Sequence, residues 1–164
     1  MEQKTTEKSK KIRELDEKDL KILNILIENG REKLNIIARL VGLSIDSTKK
    51  RIHKLHETGV IERFTILPNP KKVGYEITAH IYVKLKNLTE EKTNQFIDHL
   101  KHHQRIIVAF SMLGDFDIYF VIIAKDSQDM DFHLKQIRTK FSDIISDWKG
   151  ATVINPYKIE EYKF

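Results

Sequence analysis

The sequence contains no cysteine, which excludes disulfide bridges, thiolate catalysis and zinc sites built from cysteine. Long apolar runs are also missing, since no segment approaches the roughly 18 residues that a membrane-spanning helix needs. The first residues, MEQKTTEKSKK, lack the hydrophobic stretch of a secretory signal. The sequence therefore predicts a soluble, cytoplasmic protein with no membrane partner.

Catalytic motifs are missing as well. No serine, histidine and carboxylate stand in a recognisable nucleophile motif, and no glycine-rich loop for phosphate groups occurs. We therefore expect a protein that is not an enzyme and that needs no cofactor.

The positive charge is unevenly distributed along the chain. The 29 Lys and Arg residues exceed the 24 Asp and Glu residues, so the net charge is +5. Residues 1–66 contain 15 basic and 11 acidic side chains, whereas residues 67–164 contain 14 and 13. A basic segment beside a nearly neutral one indicates that the first meets a polyanion and that the second has another role.

The first part of the chain has the pattern of a helix-turn-helix. Residues 1–14 are polar and Lys-rich, which predicts a flexible basic tail. Apolar residues then recur at helical spacing after a capping Asp16. A second helix is predicted for LNIIARLV, and Gly42 supplies the turn that follows it. Ser44 caps a third helix, whose first turn carries Asp46.

The segment after the third helix, VIERFTILPNP, predicts a short hairpin or wing that ends at Pro68 and Pro70. We therefore expect a winged helix-turn-helix domain at residues 15–66, followed by a linker at residues 67–77.

The predicted third helix separates a buried face from a basic one. Thr48, Ile52 and Leu55 fall at i, i+4 and i+7, so they should be buried. Lys50 and His53 then point outward, flanked by further basic residues. Such a helix suits the phosphates and guanine edges of the major groove. A solvated basic face without a ligand is the alternative, but the turn, cap and wing together favour DNA binding.

From residue 78 the hydrophobic period changes to two, which is typical of strands. ITAHIYVKLK alternates as a strand, TEEKTNQFIDHLKHH predicts a helix, and IIVAFSML and DIYFVIIAK predict two strands around the turn GDF. SQDMDFHLKQIRTKF predicts a second helix, and WKGATVINPYKIEEY a last strand with an extension. The order β-α-β-β-α-β predicts a ferredoxin-like domain at residues 78–164, and an α+β class for the chain.

Three histidines fall at i, i+3 and i+4 in the first helix of this domain: His99, His102 and His103. The spacing fits imidazoles on one metal ion. It also fits a helix C-terminus, where histidine interacts favourably with the helix dipole. We favour the second role and expect no metal site.

Two runs in the first half, LDEKDLKILNILIENGRE and IARLVGLSIDSTKKRIHKLHETGVI, resemble the DNA-binding domain of the Lrp/AsnC family of transcription regulators. The second half, with GDFD between two strands, resembles the effector-sensing and oligomerisation domain of that family. The similarity extends from residue 15 to about residue 162. It implies a regulator that binds double-stranded DNA, forms a dimer or a larger homo-oligomer such as a tetramer or octamer, and responds to an amino acid.

The resemblance implies a set of DNA-binding residues in and before the third helix. They are Ser44, Ile45, Asp46, Ser47, Lys49, Lys50, Arg51, His53 and Lys54. Ile45 stands where the family often has proline, and Thr48 where an apolar residue is common. Arg63 stands where glycine is common. These departures suggest an altered base preference.

The resemblance also implies an effector-binding turn between two strands. Its residues are Met112, Leu113, Gly114, Asp115, Phe116 and Asp117. Turn amides suit a carboxylate, and Asp115 or Asp117 suits an ammonium group. Leu113 replaces a small hydroxylated residue and so removes a polar contact. A plain hairpin turn without a ligand is the alternative.

The leading hypothesis is a sequence-specific transcription regulator that dimerises through its C-terminal domain. One alternative is a DNA-architectural protein that wraps or compacts DNA with little effector control. Another is a small-molecule regulatory module that acts on an enzyme, which the basic helix-turn-helix disfavours. Tyr119 and Trp148 are expected in the core or at a dimer interface.

Overall fold

The computed structural model describes residues 14–164, so residues 1–13 of the predicted tail lie outside the described part. The described chain forms two compact units, each with its own hydrophobic core. The first comprises residues 14–66 and Lys158–Phe164, and the second comprises Leu67–Tyr157. The last seven residues of the chain thus belong to the same compact unit as the helix-turn-helix. No helix among the described residues is both long and apolar enough to cross a membrane.

Three helices form most of the first unit: α1 at Glu17–Glu28, α2 at Leu34–Val41 and α3 at Ile45–Glu57. Their apolar sides meet in one core, which buries Ile22, Leu23, Ile37, Val41 and Leu55. Gly42 ends α2 with a φ of 68°, a left-handed conformation that glycine adopts without steric strain. The chain can therefore turn sharply from α2 into α3.

One guanidinium holds α3 against the start of α1. Arg51 Nη1 lies 2.7 Å from Asp16 Oδ2 and 2.8 Å from Asp19 Oδ1. Asp16 also caps α1, because its Oδ1 accepts the Asp19 N–H at 2.9 Å. This N–H first, and Arg51 second, lower the pKa of Asp16, while the bonds to both carboxylates raise the pKa of Arg51. We call these three side chains the Arg51 junction.

The C-terminal segment Lys158–Phe164 contacts α1 through Asn24. The side-chain amide of Asn24 donates to the carbonyl oxygen of Phe164 at 2.7 Å and accepts the Phe164 N–H at 3.0 Å. The side chain thus satisfies both backbone groups of that residue. The sequence predicted only an extension of the last strand here.

The predicted wing hairpin is wrong. Residues 60–69 contain no paired strand, and Ile61 donates its N–H to the carbonyl oxygen of Leu55 at the end of α3. The chain then enters a short 3-10 helix at Pro70–Val73. A hairpin needs a second strand to accept and donate the ladder bonds, and the described part of the first unit provides none.

The second unit is a four-stranded antiparallel sheet with two helices packed on one face. Its elements follow the order β1 (Ile77–Leu85), α4 (Glu90–His102), β2 (Ile106–Ser111), β3 (Ile118–Ala124), α5 (Ser127–Lys140) and β4 (Ile145–Thr152). The strands lie side by side in the order β2-β3-β1-β4, and each neighbouring pair is antiparallel. The predicted α+β class, the helix-turn-helix and the ferredoxin-like order are confirmed.

Alternation along the strands gives the sheet a covered and an open face. Ile81 of β1 and Phe120 of β3 point toward the helices, where they share a core with Phe96 of α4 and Ile137 of α5. Trp148 of β4 packs against this core as well, with its ring 5.5 Å from that of Phe120. The intervening strand residues point to the opposite face, which no helix of the described unit covers.

We predict that Arg51→Met lowers the free energy of unfolding of the first unit by about 3 kcal/mol, because the buried Asp19 carboxylate loses its guanidinium partner. Lys50→Met, on the exposed side of the same helix, is the matched control and should cost less than about 0.5 kcal/mol. Hydrogen exchange of the α1 and α3 amides measures both effects. Equal losses in the two variants would contradict a structural role for the junction.

Candidate DNA interface and effector turn

The outward face of α3 carries most of the predicted DNA-binding residues. The exposed ones are Ser44, Ile45, Asp46, Ser47, Lys49, Lys50, His53 and Lys54. Thr48 and Leu55 are fully buried on the opposite face, as their spacing predicted, and Ile52 is partly buried. The helix therefore presents one continuous polar and basic surface to solvent.

Side-chain hydrogen bonds fix the first turn of α3. Ser44 Oγ accepts the N–H of Ser47 at 3.2 Å and donates its hydroxyl to Ser47 Oγ at 3.0 Å. Thr48 Oγ1, inside the unit, donates to the carbonyl oxygen of Ser44 at 3.0 Å. In helix-turn-helix proteins the N-terminal residues of the recognition helix, which corresponds to α3 here, meet the base edges. A fixed first turn therefore gives these side chains a defined direction.

Arg51 does not share the outward surface with its basic neighbours. Its side chain is 28% exposed, and its Nη1 bonds both carboxylates of the Arg51 junction. The family resemblance placed Arg51 among the DNA-binding residues, and charge alone does not show which side of a helix a residue flanks. In the structure Arg51 anchors α3, and Lys49, Lys50 and Lys54 are the exposed lysines of that helix.

His53 has an acidic neighbour one turn later. Its Nε2 lies 3.1 Å from Glu57 Oε1, and both side chains are largely exposed. Solvent screens such a pair, which contributes at most about 1 kcal/mol. Glu57 nevertheless offsets positive charge near the end of α3, so the basic character of the surface rests on the three lysines.

Asp19 is the residue of this site that the sequence analysis missed. It is fully buried and fixes α3 through Arg51. The sequence predicted a capping role for Asp16 and no role for Asp19. The pairing of Asp19 with Arg51 joins residues 32 positions apart, which spacing along the chain does not reveal.

The predicted effector turn joins β2 to β3 and is largely exposed. Met112 donates its N–H to the carbonyl oxygen of Asp117 at 2.8 Å, which closes the turn. Gly114 has a positive φ of 147°, and the side chain of Leu113 is fully exposed. The N–H groups of residues 113–116 have no protein acceptor within residues 14–164. The turn therefore offers several unused donors on the surface.

Asp117 is held by the fold. Its Oδ2 accepts the N–H of Leu85 at 2.7 Å, and its Oδ1 lies 3.3 Å from Lys84 Nζ. Its own N–H donates to the carbonyl oxygen of Val83 at 3.0 Å. The carboxylate therefore anchors the turn to β1. Asp115 is exposed and has no bonding partner among the described residues, so it is the carboxylate of this turn that faces solvent.

The aromatic residue of the turn brings a cation close to it. The ring of Phe116 lies 5.8 Å from the ring of Tyr82, and Lys149 Nζ lies 5.2 Å from the centroid of the Phe116 ring. The turn thus combines unused N–H groups, one exposed carboxylate and one neighbouring ammonium group.

The three histidines at i, i+3 and i+4 do not converge. His102 Nδ1 lies 2.7 Å from the carbonyl oxygen of Asp98, while the rings of His99 and His103 lie 5.7 Å apart. His133 of α5 joins the latter pair, 5.1 Å from His103. Within residues 14–164, no group of three or more His, Cys, Asp or Glu side chains is arranged to hold a metal ion.

Comparison with known sequences matches both units. Residues 15–56 match the AsnC-type helix-turn-helix domain, and residues 78–154 match the Lrp/AsnC ligand binding domain. The HTH-type transcriptional regulator FL11 of Pyrococcus horikoshii is 34% identical over 123 residues, which cover 75% of this chain and 80% of that protein. The HTH-type transcriptional regulator LrpA of Pyrococcus abyssi is 35% identical over 116 residues, which cover 71% and 80%.

Solved structures share the fold. An AsnC family transcriptional regulator from Agrobacterium tumefaciens has a TM-score of 0.82 and 28% identity, covering 90% of this chain and 96% of that one. A transcriptional regulator from Neisseria meningitidis, solved in complex with L-Met, has a TM-score of 0.81 and 22% identity, covering 89% and 94%. With a basic helix-turn-helix, a ferredoxin-like domain and these relatives, the chain belongs to the Lrp/AsnC family of transcription regulators.

Proposed function

We propose that the protein is a sequence-specific regulator that places α3 in the major groove of double-stranded DNA and responds to an amino acid. The observation that carries this proposal is the division of roles on α3. Arg51 fixes the helix from its inner flank, and Lys49, Lys50 and Lys54 extend from its outer face. A helix that is anchored on one side and basic on the other suits insertion into DNA.

The outer face of α3 also offers groups that distinguish bases. Lysine amines bind phosphates or the O6 and N7 atoms of guanine. Ile45, 51% exposed in the first turn of the helix, suits contact with the methyl group of thymine. Asp46 and Ser47 add hydrogen-bonding groups beside it. This mixture favours a binder that reads sequence over one that only neutralises phosphates.

We predict that Lys50→Ala weakens binding to the best site by about 1 to 3 kcal/mol, because the lost amine bonds a base. Lys49→Ala and Lys54→Ala should each reduce the slope of log affinity against log salt by about 1, since each lost phosphate contact releases fewer counterions. Fluorescence anisotropy on a duplex selected from genomic fragments measures affinity and slope. Lys21→Ala, an exposed lysine of α1, is the control and should change neither.

The same titrations separate a regulator from an architectural protein. A regulator should prefer its best site over random DNA by about 1,000-fold or more, whereas an architectural binder prefers it only modestly. If simultaneous replacement of Lys49, Lys50 and Lys54 by Ala left the affinity for the best site unchanged, α3 would not be the DNA-binding element.

Self-association supports the same function, because one small helix-turn-helix offers little contact area to DNA. We place it on the open face of the sheet. Tyr82, Tyr119 and Phe110 lie in register across β1, β3 and β2, with successive rings 5.2 and 6.0 Å apart. Phe110 is 59% exposed. The same face of a second copy would bury this aromatic row around a two-fold axis.

Phe110→Glu should convert the proposed dimer into a monomer, because it puts a charge into the buried aromatic row. Leu88→Glu is the matched control, since Leu88 is 56% exposed but lies between β1 and α4, away from the open face. Light scattering at micromolar concentration gives the mass of each variant. A wild-type protein that is a stable monomer under these conditions would contradict the proposal.

A symmetric dimer would set the spacing and the orientation of the two DNA half-sites. Two copies of α3 in successive major grooves on one side of the duplex lie about 34 Å apart, so the half-sites should form an inverted repeat about ten base pairs from centre to centre.

The chemistry of the turn at residues 112–117 suits an amino acid. The unused N–H groups and the nearby Lys149 favour a carboxylate. Asp115 favours the ammonium group of the same ligand. The exposed side chains of Met112 and Leu113 add apolar surface for the rest of the molecule. The Neisseria meningitidis fold relative solved with L-Met supports this ligand class.

We predict that at least one common amino acid binds with measurable heat in calorimetry and changes DNA affinity by about 5- to 150-fold, the usual range of allosteric coupling. Asp115→Asn should abolish this response without affecting DNA binding in the absence of ligand. Asp131→Asn, which replaces an exposed carboxylate on α5, should preserve the response. If no amino acid produces heat or alters DNA affinity, the turn is only structural and Leu113 marks a lost site.

A further inference from the structure

Three imidazole rings lie in a row between α4 and α5, with His103 in contact with the other two. His99 and His103 lie on consecutive turns of α4, with ring centroids 5.7 Å apart, and His133 of α5 lies 5.1 Å from His103. All three side chains are partly buried. We call them the histidine cluster. Neither DNA binding nor the effector turn uses them, so their arrangement calls for a separate explanation.

Hydrogen bonds hold His99 in its neutral form. Lys140 Nζ of α5 lies 3.3 Å from His99 Nδ1, and an ammonium group can only donate. His99 Nδ1 therefore accepts, and the ring hydrogen is on Nε2, which is buried without a partner among the described residues. A second proton on this ring would have to occupy Nδ1, directly against the lysine.

A hydrogen bond also holds the ring of His103 in its neutral form. His103 Nδ1 accepts the backbone N–H of Arg105 at 3.2 Å. His133 Nε2 lies 3.3 Å from Asp129 Oδ1, which puts its hydrogen on Nε2. His133 Nδ1 is then the site for a second proton, and it is buried with no partner in the described chain. Protonation of His103 at Nδ1 would break its hydrogen bond to the Arg105 N–H.

Charged groups around the cluster are mostly cations. Lys140 faces His99, and the Arg105 guanidinium lies near His103, over the ring of Tyr75 at 4.6 Å. Asp129 is the carboxylate beside the cluster, and it is shared, with Arg105 Nη2 3.6 Å from its Oδ2 and His133 at its other oxygen. Protonated rings of His99 and His103 would therefore gain little from this single anion, whose oxygens face His133 and Arg105.

We propose that the histidine cluster is a pH-sensitive lock that holds α4 and α5 together when His99 and His103 are neutral and releases them when mild acid protonates these two rings. The proposal concerns the second unit alone and does not depend on DNA or effector binding.

The direction of the pH dependence follows from the neutral state of the rings. Burial, and then Lys140, lower the pKa of His99 below its ordinary value of 6.5. Burial, and then His133, His99 and Arg105, lower the pKa of His103 in the same direction. The unfolded chain therefore binds more protons just below pH 6.5, so the stability of the second unit falls as the pH decreases through this range.

The test uses the full chain. Trp148 is the single tryptophan of the sequence and packs on the core of the second unit, so its fluorescence reports the unfolding of that unit. We expect its thermal midpoint to fall by about 4 °C or more between pH 7.5 and pH 5.5. Hydrogen exchange, corrected for the intrinsic effect of pH, should show the loss of protection in α4 and α5.

Substitutions in the histidine cluster test whether these rings cause the fall of the thermal midpoint at low pH. The combined substitutions His99→Asn, His103→Asn and His133→Gln keep acceptors or donors near the original ring nitrogens but do not titrate, so they should flatten the pH dependence. The control His102→Asn removes an exposed histidine of the same helix, and it should leave the dependence unchanged.

An NMR titration of the histidine rings in the wild-type chain decides the matter even if the combined variant does not fold. His99 and His103 should titrate below pH 6.5. Normal titration of both rings, or a midpoint drop that persists in a folded combined variant, would overturn the proposal.

Discussion

The geometry of the first unit depends on one ionic contact, the Arg51 junction. A carboxylate as buried as that of Asp19 is unfavourable in a protein interior unless a cation and hydrogen bonds satisfy it, and its guanidinium partner comes from α3. The contact that stabilises the start of α1 therefore also orients the helix proposed to read DNA. Because Arg51 supplies this fixed attachment, the exposed lysines of α3 would be able to adapt to phosphates and bases in the proposed complex without moving the helix.

Hydrophobic period, caps and glycine turns made most of the fold predictable from the sequence. They predicted the buried positions of Thr48 and Leu55 and the order of strands and helices in the second unit. Spacing does not show which partner a charged residue takes. Arg51 and Lys50 are adjacent and both basic, yet the position of α1 makes only the first an anchor. The prediction of a wing hairpin was wrong for a similar reason, since a strand-like pattern in the sequence does not show whether a partner strand is present.

The second unit separates its proposed roles in space. The helix-covered side of the sheet contains the apolar core, with the histidine cluster between the two helices. The open side carries the aromatic row, and one end of two strands carries the effector turn, which Asp117 ties to β1. Protonation of histidine, association with a second copy and binding of a small ligand would thus take place in different parts of the second unit. Each could shift the balance between two states of the protein only by the difference in its affinity for those two states.

The central claim is that α3 binds DNA with its outer lysines while Arg51 holds the helix from inside. The most direct measurement is a structure of the full chain bound to its best DNA site. The account predicts amines of Lys49, Lys50 and Lys54 within hydrogen-bonding distance of phosphates or base edges, with Arg51 still bonded to the carboxylates of its junction. An Arg51 guanidinium released from the junction and bonded to DNA would contradict it.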